Sequence, residues 1–219
     1  MYKSTSYFQV KCKLILAKFF PLRLKYLKIG VTLIFLFLLW SCHTTKYTHS
    51  GNVNSIIDFR EGNWILNFID APSRIRREFT DKTEEQLRGY LGNRLKLPGE
   101  LKSAILPDIK DDVLNESALE DIQTGTGFDY FIQVKAKVLR NESDSFQIGS
   151  VRSRKKNKVM VSFIVYDLNL KQQIYLHNLI AELTVEPNNQ DFAIANGVTN
   201  MMSKGLDKIL KKIDKNCIY

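Results

Sequence analysis

The spacing of apolar and polar positions divides the chain into a leader and a body. Ile29 to Trp40 is a run of 12 residues without a charge. A helix of that length rises about 18 Å, short of the ~30 Å hydrocarbon core of a bilayer. It has the length of the apolar segment of an export signal, with Lys25 and Lys28 directly before it. Further along, Trp64 to Ile69 is apolar at nearly every position, which predicts a strand covered on both faces, stopped at Asp70-Ala71-Pro72. From Ser73 to Leu95, Phe79, Leu87, Leu91 and Leu95 recur at multiples of four. Thr83 fills the gap, and Ile75 and Tyr90 widen the stripe. This predicts a helix ended by Leu97-Pro98-Gly99, or one that starts later at a Thr83/Gln86 capping box.

The second half alternates with period two. Ser103 to Leu106 reads as a short strand and Asn115 to Thr124 as a short helix with Leu119 and Ile122 inward. Gly125-Thr126-Gly127 reads as a turn. Ile132, Val134, Ala136 and Val138 then alternate with Gln133, Lys135 and Lys137, giving a strand with one dry and one solvated face. Lys158 to Tyr166 and Gln173 to Val185 alternate likewise around Asp167 to Lys171, which predicts an antiparallel hairpin. A last helix, from about Gln190 to Ile213, turns Phe192, Ala195, Val198, Met202, Ile209 and Ile213 inward. The expected fold is α+β. It is a single two-layer domain whose mixed, mostly antiparallel sheet carries a long helix from the amino-terminal half and a long carboxyl-terminal helix. Residues 62–215 are expected to form it. The polar stretch before it, residues 42–61, reads as a flexible tether.

Charge sharpens the division. The chain has 219 residues with 32 basic and 23 acidic side chains, a net charge of +9. Seven of the basic residues and no acidic one lie within residues 1–41, so the body is nearly balanced and nucleic acid is not an expected partner. Leu39-Trp40-Ser41-Cys42 follows directly on the apolar run and resembles the lipobox of bacterial lipoproteins. The resemblance implies diacylglyceryl transfer to the Cys42 thiol, cleavage before it, and residues 1–41 as signal peptide. The alternative is an uncleaved signal-anchor helix. Of the other cysteines, Cys12 falls in the leader and Cys217 stands alone, so no disulfide framework is expected. A Cys42–Cys217 bridge would compete with lipidation.

Three passages carry a second resemblance: Trp64 to Asp70, Thr124-Gly125-Thr126-Gly127-Phe128-Asp129-Tyr130-Phe131-Ile132, and Val165-Tyr166-Asp167. They are similar to the family that includes the amino-terminal domain of TolB and the core of the curli-secretion lipoprotein, over about residues 62–213. The resemblance implies a fold and an envelope setting.

Catalytic signatures are sparse. No Gly-x-Ser-x-Gly, Walker loop or His-Glu-x-x-His is present, and Asp111-Asp112 reads as solvated loop. The only histidines are His43 and His49, in the expected tether, and His177, among apolar strand neighbours and read as a core residue. No metal site, cofactor or catalysis is expected. One dense basic run, Arg152, Arg154, Lys155, Lys156 and Lys158, reads either as a hydrated loop or as a contact with an anionic surface such as lipid headgroups. Lys208, Lys211, Lys212 and Lys215 read as complements to the negative end of the last helix. The sequence therefore points to a lipid-anchored envelope protein, on the periplasmic face of the outer membrane. Its expected role is an assembly, transport-accessory or structural component with envelope protein partners. The alternative is a small-ligand or glycan-binding lipoprotein.

Overall fold

The computed structural model describes residues 45–101, 113–142, 155–185 and 192–219. Its strands are β1 (Lys46–Gly51), β2 (Ile57–Asp58), β3 (Trp64–Leu66), β4 (Leu95–Lys96), β5 (Tyr130–Glu142), β6 (Lys155–Asp167), β7 (Gln172–Val185) and β8 (Cys217–Ile218). The helices are α1 (Ser73–Leu91), α2 (Glu116–Thr126) and α3 (Phe192–Asn216). Six strands form one sheet in the order β1-β7-β6-β5-β3-β4, and β2 pairs with β8 alone. β1, β7, β6 and β5 run antiparallel to one another in that order, whereas β3 is parallel to both β4 and β5. This is the expected α+β domain with a mixed sheet. The leader and Cys42 lie outside the described residues.

One face of the sheet holds the main core. Val159, Val161, Phe163 and Val165 of β6 meet Ile132, Val134 and Ala136 of β5 and Tyr175, Leu179 and Ala181 of β7. α1 covers them with Ile75, Phe79, Leu87 and Leu91, and α3 with Met202, Leu206, Ile209 and Ile213. α1 thus buries Ile75, Phe79, Thr83, Leu87 and Leu91 of its predicted stripe, and α3 buries Met202, Ile209 and Ile213 of its own, with Val198 partly buried. The side chains of Phe192 and Ala195 lie outside the described residues. α1 ends at Gly92, whose φ of 56° reverses the chain. It stops short of the expected Leu97-Pro98-Gly99, and Leu95 pairs with Trp64 as a strand residue. Leu95 kept the four-residue rhythm only because β4 also needs it buried. The helix begins at Ser73, so the later start at Thr83 is not used, and Thr83 is buried.

The opposite face is smaller. Ile65, Phe131, Ile164, Tyr166 and Leu168 pack against Leu119 and Ile122 of α2 and against Leu114. Asn115 caps α2 by accepting from the Ala118 N–H, and Gly127 ends it in the left-handed conformation, so Gly125 and Thr126 are helical rather than a turn. Gln133 and Lys135, expected in solvent, are buried. Alongside them the segment after β3 keeps hydrogen-bonding to β5, through Asn67 N–H to Ile132 O and Asp70 N–H to Val134 O. β5 is therefore flanked along both edges. Phe68 is left half exposed where this segment bends away.

The largest correction concerns residues 42–61. The expected tether is a strand from Lys46, followed by Ile57 and Phe59, which are buried. An edge strand needs backbone pairing more than apolar side chains, and polar residues on it discourage pairing with other chains. At the other end the chain continues past residue 215 into β8, with Phe59 N–H donating to Ile218 O. An aromatic group closes this corner. Phe59 stacks on Tyr90, Trp64 stacks on Tyr130, and Tyr219 tilts against Tyr90. Gly62 is required there, because a Cβ would sit 2.6 Å from the Tyr130 ring and φ is +79°.

Gly205 of α3 faces the sheet so closely that a Cβ would meet Val161 at 3.1 Å and Leu179 at 3.2 Å, whereas Gly89 of α1 has nothing within 4 Å. Gly205→Leu is expected to cost about 1–3 kcal/mol by overpacking. Gly89→Ala should gain about 0.5–1 kcal/mol through helix propensity. Denaturant unfolding checks both, and equal signs for the two would contradict the helix–sheet contact.

Candidate functional site

β1 brings several side chains together that the sequence keeps far apart. It pairs with β7 over six residues, from Lys46 opposite Glu182 to Gly51 opposite His177. Tyr47 turns toward the core and Lys208 of α3 lies over its ring, 4.7 Å from the centroid. His49 Nδ1 and His177 Nε2 share a hydrogen bond of 2.8 Å, and His177 Nδ1 lies 3.3 Å from the Tyr175 hydroxyl. Both contacts are satisfied with both rings neutral. His177 is fully buried. Burial first, then the neighbouring His49 and Lys212, pushes its pKa down to about 4. His49 is also lowered, by burial and then by Lys208 and Lys212. The pair thus seams β1 to the sheet in its uncharged form. His177 was read correctly as a core residue, whereas its bond to His49 was not foreseen. Among the described residues, no cluster of three or more His, Cys, Asp or Glu side chains could hold a metal ion.

The basic run is placed only in part. Arg152 and Arg154 lie outside the described residues. Lys155 and Lys156 belong to β6, paired with Val185 and Thr184, so the run is no longer a loop from residue 155 onward. Lys158 is exposed and stands opposite Glu182, which also faces Lys46 on β1. Lys46, Glu182 and Lys158 therefore form a row across three strands at the end of the sheet where β1 begins. Lys215 lies in the last turn of α3 as expected, but Lys208 is turned to Tyr47 rather than to the helix end.

The carboxyl-terminal half of α3 and α1 enclose a groove of about 550 Å³. Several of its polar groups are engaged with one another. Lys82 Nζ donates to Asp207 and Ser203, at 2.9 and 3.0 Å, and Tyr90 Oη donates to Asp214 at 2.8 Å. Gln86 Nε2 donates to Tyr90 Oη and to Leu210 O. These bonds join the two helices. Cys217 is a partly buried free thiol, with its pKa raised by burial and then by Asp214.

No family model matches the chain, and no curated protein matches it in sequence. Among solved structures, it is similar to the PelC dodecamer from Paraburkholderia phytofirmans, with 10% identity and a TM-score of 0.39, over 80% of this chain and 100% of that one. It is similar to a minor lipoprotein from Acinetobacter baumannii, with 15% identity and a TM-score of 0.34, over 70% and 94% of the two chains. It is also similar to lipoprotein GNA1162 from Neisseria meningitidis, with 10% identity and a TM-score of 0.33, over 71% and 99%.

The histidine pair sets a pH dependence. A buried imidazole with a lowered pKa leaves stability intact above the unfolded value near 6.5 and removes it as pH falls toward the folded value. At ~1.4 kcal/mol per unit, the loss between pH 6.5 and 4 reaches about 3 kcal/mol. Glu78 and Glu100 have lowered pKa values and add their losses below about 4.5. Between pH 6.5 and 4.5 the slope of unfolding free energy should therefore flatten in His177→Gln. An unchanged slope would rule out the pair as its source.

Proposed function

We propose that the chain is a lipid-anchored protein of the bacterial cell envelope, attached through Cys42 to the periplasmic face of the outer membrane. Its role is non-catalytic, as an assembly, transport-accessory or structural component that works with other envelope proteins. The observation that carries this reading is a short distance along the chain. The lipobox-like Leu39-Trp40-Ser41-Cys42 ends a 12-residue apolar run, and β1 starts at Lys46. Only three residues lie between. At 3.8 Å per Cα step, four steps keep Lys46 within about 15 Å of Cys42. Acyl chains on Cys42 would thus hold the edge of the sheet directly, and two or three chains give stable attachment.

Such a short leash presents the end of the sheet where β1 begins to the headgroups. That end carries Lys46 and Lys158, and the chain there leads into Arg152, Arg154, Lys155 and Lys156. Each basic residue near an anionic surface contributes about 1 kcal/mol, a modest addition to the acyl chains. The non-catalytic reading is supported by the histidines. Both nitrogens of the buried His177 are engaged, Nε2 by His49 and Nδ1 by Tyr175. No described helix is long and apolar enough to cross a membrane.

Replacing Cys42 with alanine is expected to abolish palmitate labelling and to shift the protein out of the membrane fraction or stop its maturation. Undiminished labelling and retention would refute lipidation at Cys42. In that variant, any residual association with anionic vesicles should weaken with salt. It should also disappear when Arg152, Arg154, Lys155, Lys156 and Lys158 are all changed to glutamine. Salt-independent association would refute the basic contact.

A further inference from the structure

β3 and β4 are parallel neighbours, yet the chain leaves their carboxyl ends toward opposite faces of the sheet. After β3 it enters α1, which turns Phe79 to the face of the sheet that holds Leu66. After β4 it passes Leu101 and Leu114 into α2, on the face that holds Ile65 and Phe131. Where adjacent connections diverge in this way, a crevice opens beyond the strand ends, the place where open α/β sheets take small ligands. A cavity of about 520 Å³ occupies that position here, within the range of small-molecule sites.

Its lining is amphipathic and of mixed sign. Phe68, 50% exposed, and Leu97 and Pro98 supply apolar surface. Asp70 and Arg76 supply opposite charges. Arg76 donates from Nε and Nη2 to Ala71 O, at 3.2 and 3.0 Å, which fixes one edge of the guanidinium and leaves the rest of its donors for other use. Among the described residues, no carboxylate pairs with Arg76 and no cation pairs with Asp70. Glu100, at the same cavity, is by contrast held by Arg88 and by the Leu97 N–H.

We propose that this crevice binds a small zwitterion with an apolar body, an amino acid or a short peptide. Its ammonium group meets Asp70, its carboxylate meets Arg76, and its side chain lies on Phe68 and Leu97. A simple anion would be drawn to Arg76 but repelled by Asp70, and a simple cation the reverse. A neutral saccharide would strip water from both charges without replacing it by a counter-charge. A zwitterion satisfies both. This site is independent of the lipid anchor.

The test uses the full chain in detergent and calorimetric titration with alanyl-phenylalanine, its N-acetyl form, its carboxamide and maltose. The free dipeptide should bind saturably, and each blocked form about fivefold more weakly, the upper end for a solvent-reached charge pair. In Asp70→Asn the preference over the N-acetyl form should vanish while that over the carboxamide persists. Arg76→Gln should give the reverse. Both positions are on the surface, and a thermal melt verifies that the variants are folded. The crossed pattern supports the site. No dipeptide binding at millimolar concentration, tighter binding of maltose, or preferences unchanged in both variants overturns it.

Discussion

Val159, Val161, Phe163 and Val165 all stand on one side of β6, and the pairings with β5 and β7 set them opposite Val138, Ala136, Val134 and Ile132 on one edge and Ala181, Leu179, His177 and Tyr175 on the other. A slip of one residue would turn this whole set away from the helices. Gly205 of α3 sits over Val161 and Leu179, and Leu206 and Ile209 complete the contact. α1 then reaches the sheet partly through α3, by way of Lys82, Asp207 and Gln86. Everything else in the body is attached to that three-strand register: β1 along β7, β3 along β5, and α2 beneath Phe131 and Ile164.

The elements buried by apolar periodicity were legible. The hairpin, α1, α3 and the central strand all advertise one face in the residues themselves. What escaped was held by other means. β1 is short, polar and mostly exposed, so its sequence carries little hydrophobic signal, and its pairing partner lies in the last third of the chain. Tyr47 and His49 do alternate with Thr48 and Ser50, a faint period of two in residues with moderate strand preference. β4 and β8 have two residues each, below the length at which alternation exists. Lys135 looked solvent-facing because alternation assigns a face but cannot say whether something covers it.

The chemistry was less legible than the fold. His49 and His177 are individually unremarkable, and only the β1–β7 register makes them neighbours. Lys208 was one of four lysines on a helix end until α3 was seen to pass Tyr47. The crevice at β3 and β4 depends on which faces α1 and α2 take, and no local pattern in either segment states that. The candidate sites in this chain thus depend on placements across the sheet, whereas the apolar run and the Leu39-Trp40-Ser41-Cys42 motif are local patterns readable in the sequence itself.

The seams that close the body also order it in time. His49 meets a residue 128 positions later, Asn216 reaches back 163 positions to Val53, and β2 finds its partner in Cys217 and Ile218. As the chain emerges amino terminus first, its opening strand has nothing to pair with until β7 has followed, and the aromatic corner around Phe59 stays open until the final residues arrive. Such long loops are slow to close. The opening strand of the body is therefore the last part of the sheet to settle, and its backbone stays unpaired for as long as β7 is still being delivered.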